Sequence, residues 1–118
     1  MPIGALGDAG RQVMHIVRRL RMELQVNSTC GASNISFGLP NRNGINSAFL
    51  CMAIGAGMTS AITSPLHPEV MQACMGADVM SGADKDCRSW IRKYRQPPEP
   101  GAEGGRGRRE GRRRRRAQ

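Results

Sequence analysis

Two short stretches constrain this chain most. Val26-Asn27-Ser28-Thr29-Cys30 and Ser60-Ala61-Ile62-Thr63 mix polar and β-branched residues, and one helix-length pattern lies between them. About thirty residues of separation is too long for a hairpin and suits a crossover helix, so a right-handed parallel βαβ unit is expected. The first stretch lacks strict polar-apolar alternation, which fits a parallel strand covered on both faces. Two parallel strands alone leave both edges unpaired and a core open on one side. The pattern therefore reads as the closing section of something larger, either a truncated product, a fragment or one piece of a split protein.

Helical spacing fills the rest. Asp8 is placed to cap a first helix running to about residue 24, with Val13, Ile16, Val17, Leu20 and Leu24 on its apolar stripe. His15 sits among charged neighbours and reads as a solvated helix-face residue. A second helix is expected over residues 43–56, with Ile45, Ala48, Phe49, Met52 and Ala56 inward and Gly57 at its end. Pro68 and Glu69 suit the first turn of a third helix reaching about residue 79. Asp84 can cap a last one, on which Cys87, Trp90, Ile91 and Tyr94 share a face. His67 reads as a cap or surface residue.

Bulk properties then limit the function. Residues 96–118 are almost entirely Pro, Gly, Glu and Arg, with too little apolar surface to offset the entropy of ordering. A folded part over residues 1–95 and a disordered Pro/Gly/Arg-rich tail over 96–118 follow. That tail holds eight Arg against three Glu, so it carries +5 of the net +9. It reads most simply as a solubilising extension, the alternative being a non-specific binder of nucleic acid or acidic surfaces. No apolar run of about 18 residues implies a membrane span, and the N-terminus lacks the parts of a secretory signal. Cys30, Cys51, Cys74 and Cys87 form no Cys-x-x-Cys pair, which favours reduced thiols in a cytoplasmic protein and no metal site. An aromatic content of 3% argues against a base-stacking module.

Chemistry concentrates between the first strand and the second helix. Gly31-Ala32-Ser33-Asn34-Ile35-Ser36-Phe37-Gly38-Leu39-Pro40-Asn41-Arg42 clusters polar side chains where a parallel α/β fold places its ligands. Ile45-Asn46-Ser47-Ala48-Phe49-Leu50-Cys51-Met52-Ala53 and Gly57-Met58-Thr59-Ser60-Ala61-Ile62 follow it. Together these strings resemble the methyltetrahydrofolate:corrinoid methyltransferases, a module also found in cobalamin-dependent methionine synthase. The wider pterin-binding superfamily includes dihydropteroate synthase. The resemblance spans about residues 2–95. It implies an α/β fold, the last two βα units of a TIM (β/α)8 barrel, with the first two thirds of that barrel absent and its acidic pterin ligands upstream.

The resemblance also implies an activity: moving the N5 methyl of methyltetrahydrofolate to cob(I)alamin held on a corrinoid-binding protein. Asn34 corresponds to the asparagine near N5. Loss of the methyl leaves nitrogen needing a proton or a strong hydrogen bond, and a carboxamide can donate or accept as that charge changes. Gly31 would let backbone approach the ring, Ser33 contact the pterin or hold the loop, and Arg42 hold polar groups around folate or shape the loop. Phe37 is either a core plug or a pterin contact. Read without the resemblance, Asn34 is a loop former and Arg42 a solvated residue at a helix start. Ser64-Pro65-Leu66 departs from the acidic residue expected before Pro-Leu. Dihydropteroate synthase is the alternative enzyme, but it carries a basic string where this chain has Ser33-Asn34-Ile35. One side of a pocket and open strand edges imply a chain inactive alone that pairs with itself or with a complementing barrel fragment.

Overall fold

The computed structural model describes residues 2–97 of the 118. The expected disordered tail lies, from Pro98 onward, outside the described residues. Among the described residues there are four α-helices: α1 (Ala9–Arg19), α2 (Arg42–Ala56), α3 (Pro68–Ser81) and α4 (Arg88–Tyr94). A π-helical turn, Leu20–Leu24, prolongs α1, and 3-10 turns occupy Asn34–Ser36 and Lys85–Cys87.

This architecture overturns the expected α/β class and, with it, the reading of the chain as two βα units of a (β/α)8 barrel. Among the described residues there is no strand and no sheet. The two stretches expected as strands meet at one isolated parallel bridge between Gly31 and Ile62. Ile62 donates to the Cys30 carbonyl at 2.8 Å, and Ala32 donates to the Ile62 carbonyl at 3.0 Å. The ladder stops there for a local reason. The Ser28 carbonyl takes both the Thr59 and Ser60 amides, while the Ser28 amide donates to Thr59 Oγ1 rather than to backbone. The Ser60 bond continues the ladder, but no bond from the Cys30 amide to the Ser60 carbonyl completes the next rung, and beyond it the Ser28 amide turns to a side chain. With no third segment beside them, two short extended pieces cannot propagate a sheet.

The core is helical. Leu50 of α2 and Val70 of α3 are its largest fully enclosed apolar side chains, joined by Ala9, Met14 and Val17 of α1 and by Ile35, Phe49, Ala53 and Met58. α2 is the central element, packed on α1 and α3. Its inward face is Asn46, Phe49, Leu50, Ala53 and Ala56. Of the expected stripe Phe49 and Ala56 lie inward, whereas Ile45, Ala48 and Met52 are exposed. The cause is that α2 is apolar on nearly every side, so spacing alone cannot choose the inward face. Asn46 is enclosed with its carboxamide oxygen unpartnered. α1 shows the same slip, with Met14 inward and Ile16 outward.

Helix ends follow local chemistry more closely. Gly57 ends α2 at φ +112°, a conformation that favours glycine, and a β-carbon there would stand 2.8 Å from Arg21 Cγ. Pro68 opens α3, and Gly82 closes it at φ +81°. Asp84 caps α4 by accepting the Ser89 and Trp90 amides, each at 3.0 Å. Asp8 precedes α1, but its carboxylate accepts from Gln12 Nε2 at 2.8 Å and makes no cap bond. Among the described residues no helix is long and apolar enough to cross a membrane.

Candidate functional site

Residues 31–42 form a tight polar turn leading into α2. It begins at Gly31, whose missing side chain leaves room for Asn34: a β-carbon on Gly31 would lie 3.2 Å from Asn34 Nδ2. Asn34 opens the 3-10 turn Asn34–Ser36, stands exposed, and has no side-chain hydrogen bond among the described residues. Its backbone carbonyl accepts the Phe37 amide at 3.3 Å, so the residue is fixed through its main chain while its carboxamide stays available.

What holds the turn is Arg42. Its Nη2 donates to the Ser33 carbonyl at 2.8 Å and its Nε donates to Ser36 Oγ at 3.0 Å. Ser36 is fully enclosed, and its hydroxyl in turn donates to the same Ser33 carbonyl at 3.0 Å. The Ser36 amide reaches that oxygen as well, at 3.3 Å. The Arg42 guanidinium also lies 4.7 Å from the centre of the Phe37 ring. A planar cation with several fixed donors can satisfy two acceptors and cover an aromatic face together, which a lysine cannot.

The five expected site residues are therefore brought onto one stretch of surface, in two contacting sets. Gly31 and Asn34 touch, and Ser33, Phe37 and Arg42 are joined by the clamp. Ser33 contributes its carbonyl to that clamp. Phe37 is exposed beneath the guanidinium, so the core-plug alternative is set aside. Ser36, the hydroxyl at the centre of the clamp, was not singled out from the sequence. Nothing separates buried Ser36 from exposed Ser33 in this string, apart from the apolar Ile35 and Phe37 on either side of Ser36.

A second polar junction lies where α2 and α3 begin. Asn43 Nδ2 donates to Glu69 Oε1 at 2.8 Å and stands 3.3 Å from His67 Nδ1. A bond from its own backbone amide, followed by the Asn43 contact, holds the Glu69 carboxyl below the usual range. Ser64 Oγ accepts the Leu66 amide at 3.3 Å and so shapes its loop. Separately, a groove of about 480 Å³ opens between α2, α3 and residues 57–63, lined in part by Arg21, Thr59, Ser60 and Asp78. It includes none of the five expected residues.

The four cysteines are free and half-buried. Burial pushes the Cys30 and Cys74 thiols up, away from thiolate character. Among the described residues no group of three or more His, Cys, Asp and Glu side chains is arranged to hold a metal ion.

No family model matches the chain. A methylcorrinoid:tetrahydrofolate methyltransferase of Eubacterium limosum is 38% identical to it over 71 residues, 60% of this chain and 26% of that protein. The chain thus spans about a quarter of the length of the curated relative it matches. The similarity is to a methyltransferase of corrinoid and folate chemistry, over part of each chain.

Proposed function

We propose that this chain supplies the folate-facing turn of a methyltransferase working between a corrinoid and tetrahydrofolate, and that it needs further polypeptide to act. The observation that carries the reading is Asn34: an exposed carboxamide with no side-chain hydrogen bond among the described residues, on a turn that Arg42 and Ser36 hold still. Holding the turn while leaving the amide uncommitted is what a residue awaiting a polar ligand atom needs. The partial similarity to the Eubacterium limosum protein supports the same chemistry.

In this reading the corrinoid, carried on a corrinoid-binding partner, and the folate are both substrates. The relative's name runs the methyl from corrinoid to tetrahydrofolate, the reverse of the direction expected from the sequence. Either way one bond joins the methyl to N5 of folate and the other joins it to cobalt, whose two electrons stay with the metal when its bond to carbon breaks. Nitrogen loses a proton as it gains the methyl, and regains one as it gives the methyl up. Asn34 can accept from N5–H through Oδ1 or donate to the bare nitrogen through Nδ2, so one residue serves both directions. Gly31 keeps the approach to Asn34 open. Ser33, through its saturated carbonyl, and Arg42 orient the turn, and Phe37 offers an exposed ring edge beside it.

One side of a pocket does not enclose a substrate, so the isolated chain should turn over negligibly. The test mixes it with the complementary part of the Eubacterium limosum protein, a methylated corrinoid protein and tetrahydrofolate, and follows loss of the cobalt–methyl absorption. Turnover should appear only on mixing, and Asn34→Ala should reduce it by about 10²–10³-fold, as for loss of one oriented donor. Undiminished turnover by the variant would remove Asn34 from the chemistry. Vigorous turnover by the isolated chain would end the claim that it is incomplete.

A further inference from the structure

Polar side chains near the start of α2 have partners, with one exception. Arg42 makes the clamp, Asn43 donates to Glu69, and the Ser47 hydroxyl donates to the Asn43 carbonyl at 2.7 Å. Asn46 is only 7% exposed, and its Oδ1 is closed to solvent with no hydrogen-bond partner among the described residues. An enclosed acceptor without a donor destabilises the state in which it is found. The groove between α2 and α3 does not include Asn46, so the missing donor has to come from inside the fold.

The opposite imbalance lies one helical turn away. The Ser33 carbonyl takes Arg42 Nη2, the Ser36 hydroxyl and the Ser36 amide at 2.8, 3.0 and 3.3 Å, although a carbonyl oxygen has only two lone pairs. Asn46 follows Arg42 by four residues and so shares its face of α2. A helical side chain leans toward the N-terminus of its helix, here toward Arg42 and the Ser36 hydroxyl that Arg42 holds. A crowded acceptor and an empty one therefore flank the same arginine. Of the three donors on the Ser33 carbonyl, only the Ser36 hydroxyl can redirect its hydrogen by turning about a single bond. The amide is fixed by the backbone, and Arg42 is held by its second contact.

We propose that Asn46 is a positioning residue of the turn: when Asn34 engages its ligand atom, residues 34–36 draw toward α2 and the Ser36 hydroxyl passes from the Ser33 carbonyl to Asn46 Oδ1. The proposal rests on the folate reading of Asn34 and adds to it the group that distinguishes the empty turn from the engaged one. In the engaged state each oxygen has a donor and the Ser33 carbonyl keeps two. A ligand shifts such a balance only by favouring one state over the other, and the enclosed carboxamide supplies part of that preference from beneath the turn. Removing it should therefore stabilise the empty chain and weaken its grip on the ligand, two effects of opposite sign from one substitution.

The test follows urea unfolding of the full chain, and tetrahydrofolate affinity by calorimetry of the full chain mixed with the complementary part of the Eubacterium limosum protein. Asn46→Leu should raise the urea midpoint, because an apolar group replaces an enclosed acceptor that has no donor. The same variant should weaken tetrahydrofolate binding about tenfold, the equivalent of one hydrogen bond. Ser36→Ala removes the donor of the same bond and should weaken binding comparably, and the double variant should bind no more weakly than either single one. A purely structural Asn46 predicts the higher midpoint with affinity unchanged, and that result would overturn the proposal. So would a lowered midpoint, or losses that multiply in the double variant. Affinity lost with Asn34→Ala but kept with Asn46→Leu removes this proposal alone, whereas no binding by the unaltered mixture removes the folate reading of Asn34 with it.

Discussion

The turn at residues 31–42 and helix α4 are both polar and exposed, yet they are secured in different ways. In the turn, one carbonyl gathers three donors and one arginine spans two acceptors and an aromatic ring, and this clamp runs directly into the buried helix α2. α4 hangs on one carboxylate at its start and one indole laid on α3. Exposure is thus a poor guide to rigidity. A region built to hold a single side chain still needs converging bonds, whereas a helix that only rests on its neighbour needs a point of attachment.

The largest test of that contrast is to remove the base the turn stands on. Leu50→Ala empties a fully enclosed position on α2 and should cost about 2–5 kcal/mol, read from urea unfolding followed by circular dichroism. The turn should loosen with it. Retention of the native unfolding midpoint would mean that α2 is not the shared support.

A smaller effect is expected at the clamp. Arg42→Ala leaves Ser36 Oγ enclosed with a lost donor and should cost about 1–2 kcal/mol. The Asn34 amide resonance should broaden while Trp90 fluorescence stays put, separating the two regions. Arg42→Lys should not restore the sharp resonance, because one ammonium cannot reproduce the fork. Full rescue by lysine would reduce the clamp to a matter of charge.

The least effect is expected at α4, where pH is the lever. The amides of Ser89 and then Trp90 hold the Asp84 carboxyl below its usual range. A depressed folded value means the stabilisation is complete above the unfolded value of about 3.9 and is lost as pH falls through the folded one. Acidification below that range should shift Trp90 emission, and Asp84→Asn should flatten the response without touching the turn. A response of equal size in the asparagine variant would assign the loosening to another group.

Much of this was legible in the sequence where a residue's own backbone preference decides the outcome. Gly57 ends a helix because it adopts left-handed geometry, Pro68 starts one, and Asp84 caps another, whereas Gly82, which closes α3 in the same way, was not read as a helix end. The site cluster was legible as a polar string between two patterned elements. Facing was legible only in part: α2 is apolar on too many sides for spacing to single out Leu50, while on the amphipathic α1 Val17 lies inward as expected but Met14 takes the place of Ile16. Strands were misread for a different reason. Residues 26–30 and 60–63 have strand-like composition, but a strand is a property of its neighbours, and here pairing goes no further than one bridge with no third segment beside it. The Arg42 clamp lay beyond reach because its key acceptor is a main-chain carbonyl that no side-chain pattern reports.

The end of α2 sets one more condition on the molecule. Where Gly57 omits its β-carbon, the aliphatic stem of Arg21 comes in from the π-helical turn beyond α1. The fit between the first two helices is keyed to a vacancy rather than to a contact pair. Any larger residue at 57 must displace a neighbour and also adopt a twist its own side chain resists. The two penalties fall together at one position, so the turn beyond α1 can seat against the end of α2 in this way only with glycine there.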